Sequence, residues 1–232
     1  MTDKKEPKIL KVGDSRTVGM YFAKHPKEKY RTTVIDDGYY AKVGEGVSWL
    51  GKNQTAITKQ AEKAHVIVVG MGVNDIDNYK KYAEKMKELA NGPWKGKQVY
   101  FTAVNPVGPG YKGYKEYNQK IDNFNNYIKK HLPKNVHYID TNTYFKQNNC
   151  QFSKDGLHYI NSTNKKIDEF ITAEVNKNYT AMVMMKDAEN AQELAYYQEG
   201  KSSQPNKSKE EDKTVGGNDW AMVTVRQGRN GR

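Results

Sequence analysis

The feature that most limits what this chain can fold into is an alternation of short apolar runs with longer amphipathic ones. Ile9-Leu-Lys-Val12 reads as a strand ending at Gly13, and Tyr39-Tyr-Ala-Lys-Val43 as a second, weaker one. Residues 49–63 have helical composition and lead into His65-Val-Ile-Val-Val69, a continuous apolar run of the kind that fills a parallel strand buried on both faces. A helix over 78–90 is stopped by Asn91-Gly92-Pro93. Gln98–Val104 is the fourth strand, closed by Asn105-Pro106. From Tyr114 to Leu132 the residues Tyr117, Ile121, Phe124 and Ile128 recur at helical spacing until Pro133. Val136–Asp140 is the fifth strand, and a helix over 162–175 carries Ile167, Phe170 and Ile171 on one face.

Strands that alternate with helices in this way predict βαβ units, and so an α/β fold: a three-layer, doubly wound sheet of about five parallel strands. Right-handed crossovers gather the strand ends that feed the helices along one edge, and ligands bind outside those carboxyl ends. Functional residues are therefore expected just after Val12, Val43, Val69, Val104 and Asp140.

The chain has 232 residues, which suits one domain of moderate size with an appendage. We assign residues 1–7 to a polar N-terminal segment and 8–177 to the domain. Residues 178–199 form an additional helix with Met182, Met185, Ala188 and Leu194 as packing residues. Residues 200–232 read as a linker or disordered tail, rich in Lys, Ser, Glu and Gly. Within that tail, Asp219–Val225 is apolar enough for one strand. The single cysteine, Cys150, excludes an internal disulfide framework, and no Cys and His cluster has the spacing of a zinc site. No apolar run approaches the 18 or so residues of a membrane helix. The start, Met1-Thr-Asp-Lys-Lys-Glu-Pro7, lacks the apolar stretch of a signal peptide. The expectation is a protein that stays inside the cell or one whose leader has been removed.

With 38 Lys+Arg against 27 Asp+Glu, the net charge is +11. Such a charge admits nucleic acid or an anionic surface as a partner. The cations are almost all lysine, with no arginine between Arg31 and Arg226. Nucleic-acid readers rely on arginine forks, so we expect no nucleic-acid partner. Lysines set beside glutamates, as in Lys80-Lys81-Tyr-Ala-Glu84-Lys85, read as solvated helix faces. An anionic cell surface remains the association the charge allows.

Three segments at or beyond strand ends can carry chemistry. Val12-Gly13-Asp14-Ser15-Arg16 places a serine where a strand gives way to a helix, with its backbone N–H at the helix N-terminus. An ordinary Asp-Ser helix cap gives the same pattern. Val69-Gly70-Met-Gly72-Val-Asn74-Asp75 offers an amide donor after a strand and a glycine that lets backbone approach, or else a turn with an Asx cap. Asp155-Gly-Leu-His158 lies on the loop after the fifth strand. There an aspartate can hold one ring nitrogen of a histidine while the other faces a serine. Gly-Asp-Ser alone arises by chance in roughly one chain in twenty, and Asp-x-x-His in about one in three or four. The other histidines (His25, His65, His131 and His137) have no comparable setting.

Taken together, in the order Ser, Asn, then Asp and His, the segments resemble the SGNH hydrolases, also called the GDSL esterase/lipase family. Gly13-Asp14-Ser15 is similar to the family's first block, Gly72-Val-Asn74-Asp75 to its third and Asp155-Gly-Leu-His158 to its fifth, over roughly residues 8–176. The second block is a lone glycine, for which Gly46 fits best because it directly precedes a helix, with Gly44 as the fallback. The resemblance implies a flavodoxin-like sheet and a carboxylic ester hydrolase that needs neither metal nor organic cofactor. It also implies Ser15 as nucleophile, His158 as base and then acid, Asp155 as the orienting carboxylate, and an oxyanion hole from Ser15 N–H, Gly46 N–H and the Asn74 side chain.

One departure stands out: the family's usual Leu after the serine is Arg16, which suggests a cation that binds an anionic or polar substrate. Loops rich in Tyr, Asn and Gly, such as residues 106–114 and 142–149, suit sugar rings better than acyl chains. A small acyl group, such as acetyl on a carbohydrate, is the expected substrate. The Lys-, Asn- and Tyr-rich usage suggests a bacterial source with an AT-rich genome. A cell-wall or extracellular polysaccharide, and hence secretion or the cell surface, fits that reading. A non-catalytic carbohydrate-binding or surface-docking module on the same fold, and a lipase or thioesterase of the same family, are the alternatives.

Overall fold

The computed structural model describes residues 6–36 and 38–202, with the side chains of 187 and 197–202 left undescribed. The chain divides into two compact units at residues 186 and 187. The first contains six strands: β1 (Ile9–Gly13), β2 (Thr33–Asp36), β3 (Tyr39–Lys42), β4 (Val66–Gly70), β5 (Gln98–Thr102) and β6 (Val136–Ile139). Its helices are α1 (Ser15–Lys24), α2 (Val47–Lys52), α3 (Gln54–Ala61), α4 (Tyr79–Asn91), α5 (Tyr114–His131), α6 (Thr141–Gln147) and the start of α7 (Asn161–Ser202). Of the second unit, only the helical residues up to Ser202 are described.

The strands form one sheet in the order β2-β3-β1-β4-β5-β6. All neighbours are parallel except β2 and β3, which pair antiparallel at one edge with Val34 opposite Ala41. The expected doubly wound sheet is therefore present, with one strand more than the sequence suggested. The apolar run of β4 explains the layering. Ile67 and Val69 pack with Leu50, Ile57, Met86, Leu89 and Phe124 on one face. Val66 and Val68 pack with Val18, Tyr21, Ile167, Ile171 and Val175 on the other. Alternate residues of a strand point to opposite faces, so a continuous apolar run is what a two-sided core requires. Each large side chain so buried contributes about 1.5–3 kcal/mol.

Several boundaries differ from expectation. The helix expected over 49–63 is two helices, interrupted at Asn53, whose side-chain amide donates to the Trp49 carbonyl at 3.0 Å. Residues 141–147, expected as loop, form α6, capped by Asp140 accepting from Thr143 N–H. The helices expected at 162–175 and 178–199 are one continuous helix. The strand expected at Asp219–Val225 lies outside the described residues.

The chain passes from β1 to β3 on one side and then back across to β4 on the other. This reversal opens a crevice at the carboxyl end of β1, where open α/β sheets bind their ligands.

Candidate active site

Ser15 is the first residue of α1, directly beyond β1, and Asp14 caps that helix by accepting the Arg16 N–H at 3.0 Å. The backbone runs tightly here. A Cβ on Gly13 would come within 2.7 Å of the Gly70 carbonyl, so glycine is needed for β1 and β4 to end side by side.

The segment with Asp155 and His158 is a turn built around Gly156, whose φ of +65° lies in the left-handed region. A Cβ there would also meet the Tyr111 N–H nitrogen at 2.4 Å and the Gly108 carbonyl at 2.6 Å. This close packing against the β5–α5 loop fixes the turn, and Gly108 N–H donates to the Gly156 carbonyl at 2.7 Å. The turn folds the His158 ring back onto Asp155. His158 Nδ1 lies 2.6 Å from Asp155 Oδ2, and His158 Nε2 lies 2.9 Å from Ser15 Oγ.

Burial works to raise the Asp155 pKa. It is outweighed by hydrogen bonds from the His158 side chain and backbone, the Ser153 hydroxyl and the Leu157 N–H, which hold the carboxyl well below the usual range. An ionised carboxylate can only accept. His158 Nδ1 therefore carries the proton that donates to Asp155, and Nε2 faces the Ser15 hydroxyl. Ser153 was not singled out from the sequence, because a lone serine two residues before an aspartate carries no signal of its own.

The third and second blocks are held together. Asn74 donates through Nδ2 to the Glu45 carbonyl at 2.9 Å, beside Gly46. The Asp75 carboxylate accepts the Val47 N–H at 2.9 Å and the Tyr82 hydroxyl at 2.6 Å. A Cβ on Gly46 would fall 2.4 Å from Asp75 Oδ2, so any larger residue would have to displace the Asp75 carboxylate. Gly44 has open space around its would-be Cβ, but its φ of +78° lies in the left-handed region that favours glycine. Among the described residues, neither the Ser15 nor the Gly46 backbone N–H has a hydrogen-bond acceptor. Asp75 was quoted in the third block without a role, and its part in anchoring Val47 is visible only in three dimensions.

Arg16 requires a correction. It was expected to offer its charge to a substrate, yet it is only 7% exposed. Its guanidinium donates to the carbonyls of Asn105 at 2.7 Å, Pro106 at 3.0 Å and Leu157 at 3.0 Å, and it lies over the Tyr159 ring at 4.7 Å. Carbonyls from two loops take up the cation, leaving it to tie those loops together behind the catalytic groups.

No protein-family model matches the sequence, and no curated protein matches it. Solved structures do match in fold. The lipase/acylhydrolase from Enterococcus faecalis superposes with a TM-score of 0.51 at 13% identity, covering 74% of this chain and 96% of that one. This is the SGNH hydrolase fold. A family 3 carbohydrate esterase from Clostridium thermocellum shares the SGNH architecture, with a TM-score of 0.52 at 18% identity over 75% of this chain and 98% of that one. So does the C-terminal catalytic domain of peptidoglycan O-acetyltransferase A from Streptococcus pneumoniae, with a TM-score of 0.50 at 19% identity over 77% and 94%. In this chain the serine block follows β1, the asparagine block follows β4, and the aspartate–histidine block lies between α6 and α7.

Among the described residues no group of His, Cys, Asp and Glu side chains has the arrangement of a metal site. No described helix is long and apolar enough to cross a membrane.

Proposed function

We propose that this chain is a serine esterase that transfers a small acyl group from an ester to water through an acyl-enzyme. The observation that carries the proposal is the hydrogen-bonded series from Asp155 through His158 to Ser15, beside two backbone N–H groups without acceptors among the described residues. As Ser15 Oγ attacks the ester carbonyl, His158 Nε2 takes its proton. Asp155 holds the ring and stabilises the cation that forms. The carbonyl oxygen, now negative, is met by the Ser15 and Gly46 N–H groups and the second N–H of the Asn74 amide, whose first is bonded to Glu45. His158 then returns the proton to the leaving alcohol. Water repeats the cycle to free the acid and Ser15.

The favoured substrate is an acetyl group on a carbohydrate or cell-wall polymer. Support comes from the fold shared with a carbohydrate esterase and with a peptidoglycan O-acetyltransferase domain. A basic surface also favours work near anionic polymers.

Release of acetate from acetylated polysaccharides, compared between the parent and Ser15→Ala, tests the reading, alongside labelling of Ser15 by a fluorophosphonate. The serine variant should lose at least about a thousandfold in kcat. A parent that is neither labelled nor active on acetyl and butyryl esters would leave the non-catalytic carbohydrate-binding module as the better account.

A further inference from the structure

Ser15 and His158 open onto a cleft of about 230 Å3 between α1, the loop that follows it and the first turn of α7. Phe22 and Tyr30 line it together with Asn161 and Asn164. Neither Gly46 nor Asn74 borders it. That asymmetry fixes which part of an ester the cleft can hold. In the tetrahedral intermediate the oxyanion must point to the donors at Ser15, Gly46 and Asn74. The leaving oxygen must instead lie within reach of His158 Nε2, which gives it a proton as the bond from the acyl carbon breaks. A cleft that touches the histidine and the serine but neither Gly46 nor Asn74 therefore lies on the alcohol's side.

We propose that this cleft is the alcohol subsite and that it takes an uncharged sugar ring; the inference rests on the esterase reading above. Its lining says why. Tyr30 is 61% exposed, with its ring 5.0 Å from that of Phe22, so an aromatic face stands open to solvent where a ligand can cover it. In the same cleft, the exposed Asn161 side chain has no hydrogen-bond partner among the described residues and can serve hydroxyls as donor or acceptor. Arg16 also borders the cleft, but its guanidinium is directed at the backbone carbonyls of Asn105, Pro106 and Leu157. An aromatic face and a free amide in one cleft suit a ring that is apolar on its faces and hydroxylated at its edge. An acyl chain would find polar groups it cannot satisfy.

Two esters with the same acyl group and different alcohols test this: a mono-O-acetylated methyl glycoside and ethyl acetate. Tyr30→Ala, at an exposed position, should lower kcat/KM for the glycoside about five- to tenfold and leave ethyl acetate within about twofold. Tyr30→Phe should restore the glycoside rate, and Asn161→Ala should repeat the selective loss. Equal losses on both esters, or no loss on either, would overturn the proposal. So would a change in acetyl-over-butyryl preference at constant alcohol, which would make the cleft an acyl pocket. Fluorophosphonate labelling of Ser15 in the same preparations reports on the esterase reading separately. A labelled, active enzyme without alcohol selectivity defeats the subsite alone, whereas an unlabelled, inactive parent defeats the underlying function.

Discussion

Two aspartates of the domain are both held below the ordinary carboxylate range, by different means and with different consequences. Asp155 sits on a loop with its side chain 51% exposed. What burial it has pushes its pKa up, but neutral donors from its own turn and the His158 ring overcome that. Asp168 is fully buried on α7, where desolvation pushes harder. There it takes two cations to reverse the effect: Lys11 on β1 and Lys24 at the end of α1, whose Nζ lies 2.5 Å from Oδ2. The Tyr39 hydroxyl adds a hydrogen bond at 3.0 Å. The Asp168 network ties β1, β3 and α1 to α7 and so holds the fold. The Asp155 charge is satisfied locally, at the surface, and is left to orient one ring.

The sharpest way to break this comparison is to neutralise each in turn. Asp155→Asn should cut kcat by about 10^3- to 10^4-fold, because the amide favours the wrong tautomer of His158. The melting temperature should barely move. Steady-state kinetics beside a thermal melt check both halves, and a large loss of stability would contradict the assignment. Asp168→Asn should do the reverse, costing about 3–5 kcal/mol by leaving Lys11 buried without its counter-charge. Lys11 is already pushed below the usual lysine range by its burial, against the pull of Asp168. Urea unfolding measures the cost. Because the Asp168 pKa is depressed in the folded state, its contribution is present above about pH 4 and fades as the pH falls below that. The gap between parent and variant should close in acid.

The sequence made legible whatever repeats along the chain or lies next to a strand end. Five strands followed from apolar runs, and Ser15, Asp155 and His158 from short motifs placed after them. What stayed hidden depends on partners far along the chain. The edge strand β2 buries only Val34 fully, so Thr33–Asp36 shows no run to read. The polar stretch Asn176-Lys-Asn178 looked like the end of a helix, yet α7 continues through it. Arg16 was misread for the same reason. Its neighbour is the nucleophile, but its direction is set by carbonyls of residues 105, 106 and 157, which no local pattern announces.

Arg16 offers the next test, because it joins a buried cation to the exposed Asp155–His158 turn. Arg16→Leu supplies the residue usual in the SGNH pattern but leaves three backbone carbonyls without their donor. The loss of these charge-assisted bonds should cost about 3 kcal/mol of stability. Since the Leu157 carbonyl precedes His158 directly, kcat should also fall, by about tenfold, with little change in KM. Arg16→Lys should recover part of the stability and less of the rate, because a point charge cannot serve three carbonyls at once. Unchanged kinetics in a folded Arg16→Leu variant would show that the turn is set by Gly156 packing alone.

Asp14 gives the smallest effect and the opposite sign. It is buried beside the nucleophile, and desolvation raises its carboxyl to about 6, against the lowering influence of Arg16. Unlike Asp155, it lacks donors enough to offset its burial. A carboxyl whose folded pKa lies above its unfolded value of 3.8 favours the folded state at low pH, and that advantage disappears as the pH rises through about 6. Asp14→Asn keeps an oxygen to cap α1 but cannot ionise. The variant should therefore gain on the parent by about 2 kcal/mol between pH 4 and pH 7.5, whatever its offset at the lower pH. Paired urea titrations at the two pH values measure that difference. A gap that stays constant would mean that Asp14 ionises as easily as a surface carboxylate, and that the Ser15 helix begins in a far more polar setting than its burial implies.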